Sequence, residues 1–76
     1  MEKKLSELKP GQKAIILGFD DKEAAIKLME MGCLPGEEVL LEQKAPFGDP
    51  ISVVISGYSL SLRLEEASEI KINIIN

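Results

Sequence analysis

The feature that most limits the fold of this chain is how short its apolar runs are. None exceeds four residues, as in Ala14 to Leu17, and elsewhere apolar side chains come mostly at every second position. Leu60, Leu62 and Leu64 alternate with Ser59, Ser61 and Arg63. Ile51, Val53 and Ile55 share one face, as do Ile70, Ile72 and Ile74 opposite Lys71 and Asn73. Between Glu38 and Ala45, Val39 and Leu41 point inward and Glu38 and Glu42 outward, with Leu40 out of pattern. A period of two places one face of each segment in a core and the other in water, which is the pattern of short antiparallel strands. Turn residues punctuate these runs. Lys9-Pro10-Gly11-Gln12 and Leu34-Pro35-Gly36-Glu37 each set Pro, with its fixed φ, before Gly, which accepts a positive one. Gly18 near the end of the Lys13 to Gly18 strand offers a bulge, Pro46 to Pro50 forms a loop, and Gly57 turns the chain.

One segment follows a different period. Asp20 reads as an N-cap with Glu23 in the capping-box position, Gly32 as the left-handed residue after the helix, and Pro35 as a stop. On the helical wheel Ala25 and Met29 fall at the centre of the apolar face, flanked by Ile26 and Leu28, with Glu23, Lys27 and Glu30 opposite. Leu5 to Leu8, capped by Ser6, and Glu65 to Ser68 suit single helical turns. The expected fold is mainly β: five short strands with one inserted amphipathic helix, closed into a small SH3-like barrel, because an open sheet with one helix leaves an apolar face wet. A chain of 76 residues has material for one core, so residues 1–76 are expected to form a single domain.

The chemistry is sparse. There is no His, hence neither the commonest general base nor the commonest nitrogen ligand for a metal. The single Cys33 excludes an internal disulfide and has no base beside it in sequence. The six glycines are scattered over separate turns, with no phosphate-binding signature. The acidic pairs Asp20/Asp21, Glu37/Glu38 and Glu65/Glu66 each have a local role in capping or turns, so no metal site is assigned and only weak transition-metal binding is left open. Nine basic against thirteen acidic residues, a net charge of -4, argue against nucleic acid and against an anionic membrane surface. No run approaches the ~20 apolar residues of a membrane span, and Met1-Glu2-Lys3-Lys4-Leu5 lacks the apolar core of a signal peptide, so cytoplasmic residence is expected. What remains is apolar material near turns or off the inward stripes: Leu28, Met31, Leu34, Leu40, Phe47 and Tyr58. As a group these favour binding to another macromolecule over catalysis.

Met31-Gly-Cys-Leu-Pro-Gly-Glu-Glu-Val, Ala45-Pro-Phe-Gly-Asp-Pro-Ile and Gly57-Tyr-Ser-Leu-Ser-Leu-Arg, with Leu5-Ser-Glu-Leu-Lys-Pro-Gly before them and Glu66-Ala and Ile70 after, resemble the FeoA family of small ferrous-iron-transport proteins. The resemblance runs from about Leu5 to Ile75 and implies an SH3-like barrel. It also implies an accessory role beside FeoB, the membrane transporter with a cytoplasmic GTP-binding domain. Carried onto this chain, the partner-facing region maps to Leu28, Met31, Cys33 and Leu34, with Met29 the weakest candidate because the wheel places it in the core stripe. Phe47 to Pro50, including Asp49, forms a second surface, and Tyr58 a further contact. Cys33 stands where the family has Leu or Met after the glycine. The same domain resembles the C-terminal part of iron-dependent repressors, which makes a metal-binding or metal-sensing domain the alternative reading. Proline-rich peptide recognition is disfavoured by three aromatics in all. The oligomeric state stays open.

Overall fold

The computed structural model describes residues 2–75. In chain order it has β1 (Glu2–Lys4), a single 3-10 turn (Leu5–Glu7), β2 (Lys13–Phe19), α1 (Lys22–Glu30), β3 (Glu38–Lys44), β4 (Ile51–Ile55), β5 (Tyr58–Leu62), α2 (Leu64–Ala67) and β6 (Ile70–Ile74). All six strands form one antiparallel sheet in the order β1-β6-β2-β3-β4-β5. The fold is SH3-like, with Val39, Leu41, Ile51, Val53, Ile55, Leu62, Ile70 and Ile72 buried on its inner face. The alternation that marked the strands is thus the alternation of the core.

One expectation about the sheet is corrected. It has six strands, not five: β1, read from charged Glu2-Lys3-Lys4, carries no apolar period, and pairs with β6 through Glu2–Asn73, Lys3–Ile72 and Lys4–Lys71. β6 therefore lies inside the sheet, between β1 and β2, and is not an edge. Gly18 does mark a bulge, where the β2–β6 register shifts between Ile16 and Gly18.

The helix keeps its expected position with a different cap and a different face. Asp21, not Asp20, is the N-cap: its carboxylate accepts the Ala24 N–H at 2.8 Å. The buried residues are Ala24 and Leu28, while Met29 is 38% and Ile26 61% exposed. The apolar residues of α1 spread over more than half its circumference, so the wheel's mean direction fell on Ala25. The ends decide the rotation instead. Asp20 is held by its N–H to the Glu69 carbonyl at 2.9 Å, and Lys27 sits at the rim with its ammonium 3.1 Å from Glu66 of α2. The first helical turn is set by Glu7, whose carboxylate accepts the Lys4 N–H at 2.8 Å, so Lys4 takes the cap position expected of Ser6.

Candidate functional site

The end of α1 is a Schellman closure built residue by residue. Gly32 takes φ +104, which lets its N–H reach the Met29 carbonyl at 3.0 Å while the Cys33 N–H reaches Leu28, also at 3.0 Å. This motif brings the residue after the glycine against the residue three from the helix end, and apolar side chains there seal the turn. Cys33 and Leu28 are those two residues, and both are buried. The expectation that Leu28 and Cys33 face a partner is corrected on this ground: they are the inside of the cap. Burial, with the Glu66 carboxylate adding to it, pushes the Cys33 thiol above its ordinary value, so it remains protonated at neutral pH.

After the cap the chain is fixed a second time. The Gly36 N–H donates to Ile16 at 2.8 Å, the Ile16 N–H to Glu37 at 3.0 Å, and the Glu37 N–H to Leu34 at 3.1 Å, closing the Pro35-Gly36 turn with Gly36 at φ +91. Met31 and Leu34 are thereby held on the rim, Met31 half-buried and Leu34 46% exposed. Facing them is the hairpin of β4 and β5, whose turn Ser56-Gly57 has positive φ at both residues, 53 and 81, and leaves Tyr58 74% exposed. Between these walls lies an apolar groove of about 390 Å³ lined by Met31, Leu34, Ile55, Tyr58 and Leu60. Met31 also lines an adjoining, more polar depression with Asp49, Ser61, Arg63 and Glu66. Three of the residues singled out in the sequence, Met31, Leu34 and Tyr58, therefore converge on one groove. Asp49 borders its continuation.

Phe47 does not join them. It is 98% exposed at the tip of the β3–β4 loop, beyond the Ile51 end of β4, whereas Tyr58 pairs with Ile55 at the other end. Asp49 has a structural bond as well: its carboxylate accepts the Leu64 N–H at the start of α2 at 2.9 Å. The alternation of β5 predicts Leu60 as a core residue. It lies half-buried, packed against the core on one side and lining the groove on the other, while Leu62 on the same face is fully buried.

The polar groups offer little converging chemistry. Glu66 accepts the Arg63 N–H at 2.9 Å and pairs with Lys27. The Arg63 N–H, with help from the Lys27 ammonium, holds its carboxyl below the usual carboxylate value against a smaller opposing effect of burial. Among the described residues, no three Cys, Asp or Glu side chains gather in a metal-binding arrangement, and no helix is long and apolar enough to cross a membrane.

Comparison with known proteins gives these features a setting. The model of the FeoA domain matches residues 3–74. The chain is 35% identical over 74 residues to the Fe(2+) transport protein A/Fe(2+) transporter FeoB fusion protein of Porphyromonas gingivalis, a match covering 96% of this chain and 9% of that one. It therefore spans less than a tenth of that relative. The FeoA-like protein of Clostridium acetobutylicum superposes with a TM-score of 0.92 at 37% identity, over 99% of this chain and 88% of that one. The zinc complex of Stenotrophomonas maltophilia FeoA, described as a procaryotic SH3 domain protein, superposes with a TM-score of 0.80 at 30% identity, over 93% and 89% of the two chains. A manganese-dependent transcriptional repressor shares the fold over 42% of its length, with a TM-score of 0.84 at 16% identity.

Proposed function

The chain belongs to the FeoA family of ferrous iron transport, and from that premise we propose that it is a cytoplasmic accessory protein that binds the cytoplasmic region of a FeoB-type transporter. The observation that carries the reading is the Porphyromonas relative, in which a segment like this chain and a FeoB transporter are one polypeptide. Fusion holds two modules at a high effective concentration, an arrangement useful when they act on each other. The groove of Met31, Leu34, Tyr58 and Leu60 is the contact face in this reading. It is apolar, lies next to exposed backbone, and is held in shape by the helix cap and the Pro35-Gly36 turn rather than by a mobile loop. The groove suits docking better than chemistry, since its lining is mostly apolar and Cys33, the single thiol, is buried and protonated.

The test is a titration of the protein against the cytoplasmic GTP-binding domain of its cognate transporter, with and without nucleotide and ferrous iron. Association that is lost in Leu34→Asp, whose side chain is half exposed and outside the core, supports the reading. Absence of association in every nucleotide and iron state refutes it. Metal binding is a second reading, favoured by the zinc complex of the Stenotrophomonas relative. Anaerobic calorimetry with ferrous iron and zinc tests it, and affinity weaker than about millimolar removes a sensing role.

A further inference from the structure

The two edges of the sheet differ in chemistry. β1, at one edge, is Glu2-Lys3-Lys4, charged throughout, and charge along an edge guards against the addition of further strands. β5, at the other, is Tyr58-Ser59-Leu60-Ser61-Leu62, with neither a charge nor a proline. The hairpin fixes which of its backbone groups face outward. A two-residue turn of this type closes on a pair that exchanges both hydrogen bonds, and that pair is Ile55–Tyr58. By alternation Val53–Leu60 and Ile51–Leu62 are bonded likewise, so the N–H and C=O groups of Ser59 and Ser61 point away from β4. Among the described residues the sheet order puts no strand on that side. The Met31–Leu34 groove runs along this same edge, past Ser59 and Leu60 on one stretch and Ser61 on the next.

We infer that β5 is a docking edge that takes an extended segment of the transporter's cytoplasmic region as a seventh strand, with aliphatic and basic side chains alternating along that segment. The inference rests on the partner reading above and specifies how the partner is held. Side chains of an added strand alternate between two faces. Those on the core side meet Met31, Leu34, Tyr58 and Leu60, which select aliphatic residues. Those on the outer side meet Ser59 and Glu42, whose carboxylate accepts from the Ser59 hydroxyl at 3.3 Å and the Ser52 hydroxyl at 2.9 Å. Glu37, bonded to the Ser56 hydroxyl, adds a second carboxylate at the hairpin end, while at the other end Asp49 and Glu66, both already hydrogen-bonded, line the depression with Arg63. The edge is neutral and the carboxylates of Glu42 and Glu37 stand beside its outer face and hairpin end, so the complementary charge there is Lys or Arg.

Ser59→Pro and Ser61→Pro test this directly. Each removes an N–H that the β4 ladder does not use, and proline is tolerated on the outward side of an edge strand. Binding to the transporter's GTP-binding domain is expected to weaken about tenfold or more in each variant, through a lost hydrogen bond and an unpaired carbonyl in the partner. Melting curves and the amide exchange of β3 and β4 should stay as in wild type. Independently of any variant, the Ser59 and Ser61 amides of the wild-type protein should become protected from exchange when the transporter domain is added. Wild-type binding with both proline variants within twofold of it, or with no added protection at these amides, overturns strand addition and leaves the partner reading standing. No wild-type binding overturns both. Sedimentation of the protein alone gives a further outcome: self-association abolished by Ser61→Pro, with transporter binding unchanged, assigns the edge to a second copy and overturns the inference.

Discussion

Replacing Leu28 by alanine separates a core residue from a contact residue. Leu28 is 1% exposed, packs beneath the Schellman closure beside Cys33, and supplies from its carbonyl the acceptor for the Cys33 N–H. Truncation keeps the backbone bond and removes three carbons from a site walled by Ala24 and the inner sheet. Buried leucine-to-alanine changes cost about 2–5 kcal/mol, depending on how far the site collapses. Here α1 is pinned at both ends, by the Asp21 cap and the Lys27–Glu66 pair, so collapse is limited and about 3 kcal/mol is expected. For a domain of this size each kcal/mol moves the melting temperature by about 4–8 °C, so the loss is about 12–24 °C. Differential scanning calorimetry reads the shift, and binding to the transporter domain is then measured well below the new midpoint. The variant should bind nearly as wild type once folded. A Leu28→Ala protein that melts within about 2 °C of wild type but has lost binding would falsify the placement of this side chain in the core.

Gly32→Ala should cost about 1–2 kcal/mol in urea unfolding, the strain of a positive φ alone, because among the described residues nothing beyond its two chain neighbours comes within 4 Å of the added carbon; a neutral result would mean the Schellman cap is not formed. Cys33 should resist alkylation in the native protein at pH 7 and react on addition of urea; rapid native labelling would contradict its burial. Its folded value is raised, so above the ordinary value of 9.0 the unfolded chain loses this proton first and stability should fall as pH rises, a slope that Cys33→Ala removes. Glu66 has the opposite sign: its folded value is lowered, so its contribution is present above its ordinary value of 4.5 and lost as pH falls through the folded one. Glu66→Gln should flatten the acid limb of the stability profile, and an unchanged limb would count against the bonds to Arg63 and Lys27.

Much of the fold was legible because strand and turn signals are local. Val39, Leu41, Ile51, Val53, Ile55 and Leu62 declare their burial by alternation alone, and Gly11, Gly32, Gly36 and Gly57 take the positive φ their turns require. What was not legible depends on distant partners. Glu2 to Lys4 form a strand because the outer side of β6 offers a ladder, although nothing in three charged residues announces it. The rotation of α1 follows from Glu69, Glu66 and the closure at Cys33, so a wheel drawn from the helix alone put Met29 inside and Leu28 on the rim. The candidate site shows the same division. Met31, Leu34 and Tyr58 could be picked out as large apolar residues near turns, yet their meeting in one groove, and the exclusion of Phe47 from it, required the register of β4 and β5.

The place of β6 has a consequence in time. The last strand of the chain lies between β1 and β2, so two of the sheet's ladders, including the pairing of Glu2 with Asn73, form only once residues 70 to 74 exist. On the ribosome, Ile16 and the other inner residues of β2 must wait for nearly the whole domain before their neighbour on that side emerges. Topologies dominated by such distant pairings fold slowly for their size. Within a longer polypeptide, the sheet of such a segment closes only after its own residues 70 to 74 have emerged. Whatever follows β6 then begins beside a strand held on both sides.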